Sequence, residues 1–207
     1  EVRNPILRAM EPERVAEAAT NLDDDDFSEV LRSMPDAVYR RVLKSMDKQD
    51  QARAERVMSY EEDSAAALMN TDTVTVRPDV TVDVILRYLR LKESLPENTD
   101  YLYVVDKQDH FIGEVSLSAL VTSNPSKLIS EVMETDFEVI PASMQESEVA
   151  TLFERYDWMT APVIDENGLL LGRITIDDVV DIIREDAEHS MLSMAGLDDE
   201  ADTFAPV

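Results

Sequence analysis

At 207 residues, 44% of them hydrophobic, the chain can bury a core and has room for one or two domains. Its 45 acids against 19 bases leave a net charge of −26, which argues against nucleic acid or an anionic membrane surface as a partner, because both would repel it. The absence of cysteine excludes disulfides, thiolate metal sites and cysteine nucleophiles. Acidity alone has two readings: stored self-repulsion that bound cations would relieve, or a general acidic habit that favours solubility. No apolar run reaches about 18 residues, so neither a membrane span nor a signal peptide is expected within this sequence. The chain starts at Glu1 without an initiator methionine and is expected to be part of a longer protein.

The first predicted elements form a short repeat. Met10, Leu22, Met34, Met46 and Met58 follow at a constant step of 12, and a helix-starting signal comes after the first four: Glu11-Pro12, Asp23–Asp26, Pro35-Asp36 and Asp47. Apolar residues recur inside the units, as in Val15/Ala18/Ala19, Phe27/Val30/Leu31 and Val38/Val42/Leu43. The pattern predicts amphipathic helices of roughly two turns, too short to stand alone, stacked as a small helical solenoid. The repeat is expected to begin before Met10, since no capping unit precedes it.

A longer repeat follows. From Met69 the chain reads "MNTDTVTVRPDVTVDVILRYLR…YLYVVDKQDHFIGEVSLSALV", and from Met133 "METDFEVIPASMQESEVATLFERYD…APVIDENGLLLGRITIDDVV". The methionines lie 64 apart, whereas Asp106/Asp165 and Gly113/Gly172 lie 59 apart, so the first copy carries five extra residues near Leu91–Asp100. Each copy reads strand, helix, strand, tight turn, strand, helix. The strands are expected at 74–76, Tyr101–Val105 and Ala161–Ile164, with further strands beginning near Phe111 and Leu169; the helices come from Val80–Leu91 and Glu148–Tyr156.

The cores "LYVVDKQDHFIGEVS" and "APVIDENGLLLGRIT" resemble a pair of CBS domains. That resemblance implies a sensor rather than a catalyst, adenine-nucleotide binding between strands and helix, and head-to-head dimers. The full order narrows it: an acidic helical region, "YEEDSAAALM", two CBS units, then "TIDDVVDIIREDAEHSMLSMAG" resembles the cytosolic part of MgtE-type magnesium transporters. The implied architecture is α+β: a short-helix superhelical domain over residues 1–60, CBS domain 1 over 61–131, CBS domain 2 over 132–182, and a connecting helix over 183–207 leading toward a membrane domain at the cytoplasmic face. The helical domain looks shorter than the family's.

Magnesium takes oxygen ligands and keeps several waters, so one or two carboxylates per ion suffice. The Asp23–Asp26 run lacks the glycine and the distal glutamate of a calcium-binding EF-hand loop, and two histidines without thiols offer little to zinc. Asp178, Asp181, Glu185 and Glu188, at steps of 3, 4 and 3, share one helical stripe. The plain reading of that stripe is a solvated face. The resemblance implies otherwise: Asp25 and Glu29 match acidic positions facing the second CBS unit, Asp157 and Asp178 match their counterparts there, and Asp181 and Asp186 match the acidic face of the connecting helix. It also implies an ATP pocket, in which Tyr101 and Trp158 match aromatic positions; the plain readings are a core strand residue and a dimer contact. The second copy keeps an "S/T-x-x-D" motif as Thr175–Asp178, whereas the first has Ala119 in place of the aspartate, so ATP is expected to bind poorly.

The competing expectations are a generic adenine-nucleotide sensor and a pure assembly module. Enzyme readings are weak, because P-loop, G-x-G-x-x-G and H-E-x-x-H motifs are all lacking. A homodimer through the CBS pair is expected.

Overall fold

The computed structural model describes residues 12–92, 94–180 and 182–184. Four helices open it: α1 (Pro12–Ala19), α2 (Asp24–Arg32), α3 (Asp36–Ser45) and α4 (Lys48–Met58). They run to 8–11 residues, so the later ones exceed two turns. Asp47 shows why α4 starts where it does, its carboxylate accepting the Gln49 and Asp50 amides at 2.8 and 2.9 Å. Packing is between alternate helices, α1 on α3 and α2 on α4, which makes the array superhelical. The 12-residue step now has a physical meaning: Met34 and Met46 sit at the turns and are buried, closing a core around Phe27, Leu31, Val42, Ala54 and Val57.

Two similar units follow. The first comprises β1 (Thr75–Val76), α6 (Val82–Leu91), β2 (Tyr101–Val105), β3 (Phe111–Ser116) and α7 (Leu117–Thr122). The second comprises β4 (Ile140–Pro141), α8 (Glu146–Tyr156), β5 (Thr160–Ile164), β6 (Leu170–Thr175) and a last helix, α9, described at 176–180 and 182–184. A one-turn helix, α5 (Ala65–Leu68), precedes them. Each sheet has a parallel pair and then an antiparallel pair, ordered β1-β2-β3 and β4-β5-β6. The registers match across the repeat: Tyr101 opposes Ser116 as Thr160 opposes Thr175.

The segment leading into each unit packs against the other one. Ala65, Ala66 and Met69 join the core of the second unit, and Asn70 exchanges backbone hydrogen bonds with Arg173 at 2.8 and 2.9 Å. Glu134 does the same with Glu114 of the first unit, at 2.8 and 3.1 Å. These exchanges explain the two glycines of the repeat. A Cβ on Gly172 would meet the Asn70 carbonyl oxygen at 2.5 Å, and one on Gly113 the Glu134 carbonyl oxygen at 2.6 Å, so only glycine admits the passing strand.

Candidate functional site

The Asp23–Asp26 run opens α2 where the helical domain meets the second unit, and the fold gives its members different surroundings. Asp24 is an anchor. Its amide donates to Asn70 Oδ1 at 2.8 Å, and its carboxylate accepts from Arg53 Nε at 2.5 Å and from the Thr71 amide at 3.1 Å and the Thr71 hydroxyl. Burial alone would push this carboxyl up, but the bonds from Thr71 and Arg53 hold it below the ordinary aspartate value. Arg53 also donates to the Leu22 carbonyl at 2.7 Å and lies over the Phe27 ring.

Asp25, one residue on, faces Asp178 in the first turn of α9. Burial and then the Asp25 charge push the Asp178 carboxyl up to about 7, against a Thr175 hydroxyl that donates to Asp178 Oδ2 at 2.7 Å. Burial likewise raises Asp25, whose Oδ1 is buried with no hydrogen-bond partner. Two desolvated carboxyls within reach of one another hold a proton between them when no cation is there to replace it. They share a cleft of about 720 Å³ with Glu29 and Asp177, and Arg32 lies on its wall. Among the described residues, no three acids or histidines stand close enough to chelate an ion unaided. The arrangement is a pair of carboxyls facing each other across the seam.

Of the sequence-derived metal candidates, Asp25, Glu29 and Asp178 therefore come together. Asp157 lies apart, in left-handed conformation (φ 53°) at the end of α8, lining a different cleft. Asp181 and Asp186 fall outside the described residues.

A second acidic recess, about 320 Å³, adjoins the first and is lined by Asp23, Asp26, Asp72, Glu97 and Asp177. At its base lies Arg173, 5% exposed, bonded to the Asp72 carboxylate at 3.2 and 3.3 Å and to the Glu97 and Asn98 carbonyls at 2.6 and 3.1 Å. Burial, followed by the charges of Asp72, Asp26 and Glu97, raises the Asp23 carboxyl. Residues 94–100, within the stretch lengthened in the first copy, thus reach across to the second unit, where Asn98 also donates to Asp177 at 3.3 Å. Sequence reasoning missed Asp24, Arg53, Asp72 and Arg173. Arg173 alone had a signal, a lone base in an apolar strand where the first copy carries Glu114.

Tyr101 and Trp158 do converge. They line one cleft of about 670 Å³ between the units, joined by Phe137 and Tyr156. Tyr156 and Trp158 stack with centroids 5.1 Å apart. At the neighbouring helix start, Ser116 caps α7 by accepting the Ala119 amide at 3.1 Å, the position where the second unit has the Thr175–Asp178 bond.

The fold and its clefts define a helical domain docked on a tandem CBS pair. The model of the MgtE intracellular N domain matches residues 1–63, and that of the CBS domain matches 65–124 and 129–185. The magnesium transporter MgtE of Thermus thermophilus is 33% identical over 179 residues, covering 86% of this chain and 40% of the relative; that of Bacillus subtilis is 29% identical, covering 98% and 45%. Among solved structures, the cytosolic domain of the Mg2+ channel MgtE in complex with ATP is 32% identical with a TM-score of 0.75, covering 86% of this chain and 78% of that one. The soluble part of a magnesium transporter reaches a TM-score of 0.82 at 25% identity, covering 87% and 71%. The chain belongs to the MgtE family and spans less than half the length of these curated relatives. No helix among the described residues is long and apolar enough to cross a membrane.

Proposed function

We propose that this chain is the magnesium-sensing regulatory region of a magnesium transporter, working at the cytoplasmic face of the membrane. The observation that carries the reading is the Asp25–Asp178 pair, two half-buried carboxyls meeting across the seam between helical domain and second CBS unit. Two ionised carboxylates about 4 Å apart repel by roughly 4 kcal/mol at an effective dielectric near 20. When magnesium is scarce, the docked pair must bear that repulsion or take up a proton, and either opposes docking of the helical domain at neutral pH and above. An ion between them reverses the sign, and the unpartnered Asp25 Oδ1 is an oxygen ready to take it. Glu29 supports the same cleft from α2. Several weak ions acting together supply the few kcal/mol that invert a two-state population. The helix after the second unit then passes closure to a membrane domain.

A homodimer through the CBS units completes the reading. Val84, Tyr88 and Leu91 form an exposed apolar stripe on α6, and Val121 on α7 and Val180 and Ile183 on α9 are exposed too. A second copy applied about a two-fold axis would cover them.

The test compares small-angle scattering and thermal melts of the parent and of the double variant Asp25→Asn, Asp178→Asn, in magnesium or in sodium chloride of matched ionic strength. Magnesium should compact and stabilise the parent well beyond sodium, and the variant should be compact already and respond little. A full sodium response, or an undiminished variant response, overturns the proposal. The convergence of Tyr101 and Trp158 favours a second reading, a nucleotide-responsive CBS pair. Calorimetric titration separates the two: a magnesium response without an ATP response supports the first, and the converse supports the second.

A further inference from the structure

We propose that the aromatic cleft between the CBS units binds an organic cation, a compact apolar or flat body carrying one or more ammonium groups. The site lies away from the Asp25–Asp178 seam, and the inference does not depend on the magnesium reading.

Four aromatic side chains line the cleft: Tyr101, Phe137, Tyr156 and Trp158. Tyr156 and Trp158 stack 20° from parallel, which holds both indole and phenol rings in place at the cleft wall. Such faces attract ammonium groups strongly once water is displaced. At about 670 Å³ the cleft has the size of an ordinary small-molecule site. A hydrated magnesium ion would leave most of that apolar wall unused.

The charged residues that line the cleft are of a single sign; one cation, Arg155, lies over the Tyr156 ring, 5.5 Å from its centroid. Asp100, Glu114, Asp136, Glu138 and Asp157 line the cleft, and no lysine, arginine or histidine does among the described residues. General acidity of the chain does not account for this. Position 173 of the second copy matches position 114 of the first, 59 residues earlier. The second copy places there a buried arginine neutralised by Asp72, whereas the first places Glu114 next to Glu134. Burial and then the Glu134 charge push the Glu114 carboxyl up, the mark of a negative charge that lacks a partner. Deeper in, the Tyr103 hydroxyl is buried beside the cleft residue Thr160 without a hydrogen bond of good geometry. A metal-free polyphosphate placed in this cleft meets five carboxylates and, among the described lining residues, no base, so a nucleoside triphosphate should bind there less tightly than an ammonium group.

Trp158 is the chain's only tryptophan, so its fluorescence reports on this cleft directly. The whole chain, held at constant magnesium, is titrated with benzyltrimethylammonium chloride, benzyl alcohol, ATP, and potassium chloride at matched ionic strength. The expected result is saturable quenching by the ammonium probe and little change with the other three. Glu114→Gln and the exposed Asp136→Asn should each weaken the probe by about tenfold without lowering the melting temperature. No saturable response to the ammonium probe would overturn the proposal. So would equal quenching by potassium (a counter-ion atmosphere) or by benzyl alcohol (apolar filling alone), or ATP binding tighter than the probe.

Discussion

Replacing Asp178 by asparagine tests the energetics of the seam most directly. An unfolded aspartate releases its proton near 3.8, whereas in the folded chain Asp178 holds it to about 7. Between those values the unfolded state binds fewer protons, so this group makes stability fall as pH rises from about 4 to about 7 and leaves it level above. Three pKa units correspond to about 4 kcal/mol. The side chain is partly exposed, so screening reduces this to about 2 kcal/mol. Asparagine keeps the shape, can still accept from Thr175, and has nothing to titrate. The variant should therefore be about 2 kcal/mol more stable than the parent at pH 8 without magnesium, or some 4–8 °C in melting temperature for a chain of this size. At pH 4 the two should coincide. Magnesium at ten times a millimolar dissociation constant should add about 1.4 kcal/mol to the parent by linkage, and much less to the variant. Calorimetric or circular-dichroism melts at pH 4, 6 and 8, with magnesium or matched sodium, measure every quantity. A variant whose pH profile parallels the parent's would refute the reasoning, because the raised carboxyl would then have no energetic consequence.

Three further predictions follow from the packing. Asp24→Ala strands Arg53 beside Phe27 and should cost 3–5 kcal/mol of stability in urea titrations, far more than the same change at exposed Asp26; equal costs would show that Asp24 is no anchor. Gly172→Ala and Gly113→Ala place a methyl against a backbone carbonyl and should each cost about 1–3 kcal/mol, read as a drop in melting temperature, while Gly168, in a left-handed turn with open space around it, should suffer only backbone strain. Tyr88→Asp on the exposed face of α6 should shift light-scattering masses toward the 23.4 kDa monomer across a dilution series, and an unchanged mass would move the dimer surface elsewhere.

Periodicity made much of the fold legible. The 12-residue step marked the helix turns, the 59-residue offset marked equivalent strands, alternating Val/Thr marked β1, and β-rich runs marked β2 and β5, because each is a local pattern imposed by burying apolar side chains. The α8 start moved only from Glu148 to Glu146. Glu29, Asp25 and Asp178 could be singled out by resemblance, and Tyr101 with Trp158 likewise. What no local pattern could say was which of four consecutive aspartates does what. Asp24 is an anchor because Arg53 and Thr71, 29 and 47 residues away, close on it, and Asp25 is a pair member because one helical step turns it toward α9. Asp157 matches a metal position by resemblance, and the structure puts it at the left-handed end of α8, lining the aromatic cleft. The sequence by itself determined the repeats, the helices and the surplus of negative charge. Only the tertiary structure decided where that charge is neutralised, at Arg53 and Arg173, and where it faces like charge, at Asp25/Asp178 and Glu114/Glu134, because electrostatic energy depends on distance and burial between residues far apart in the chain.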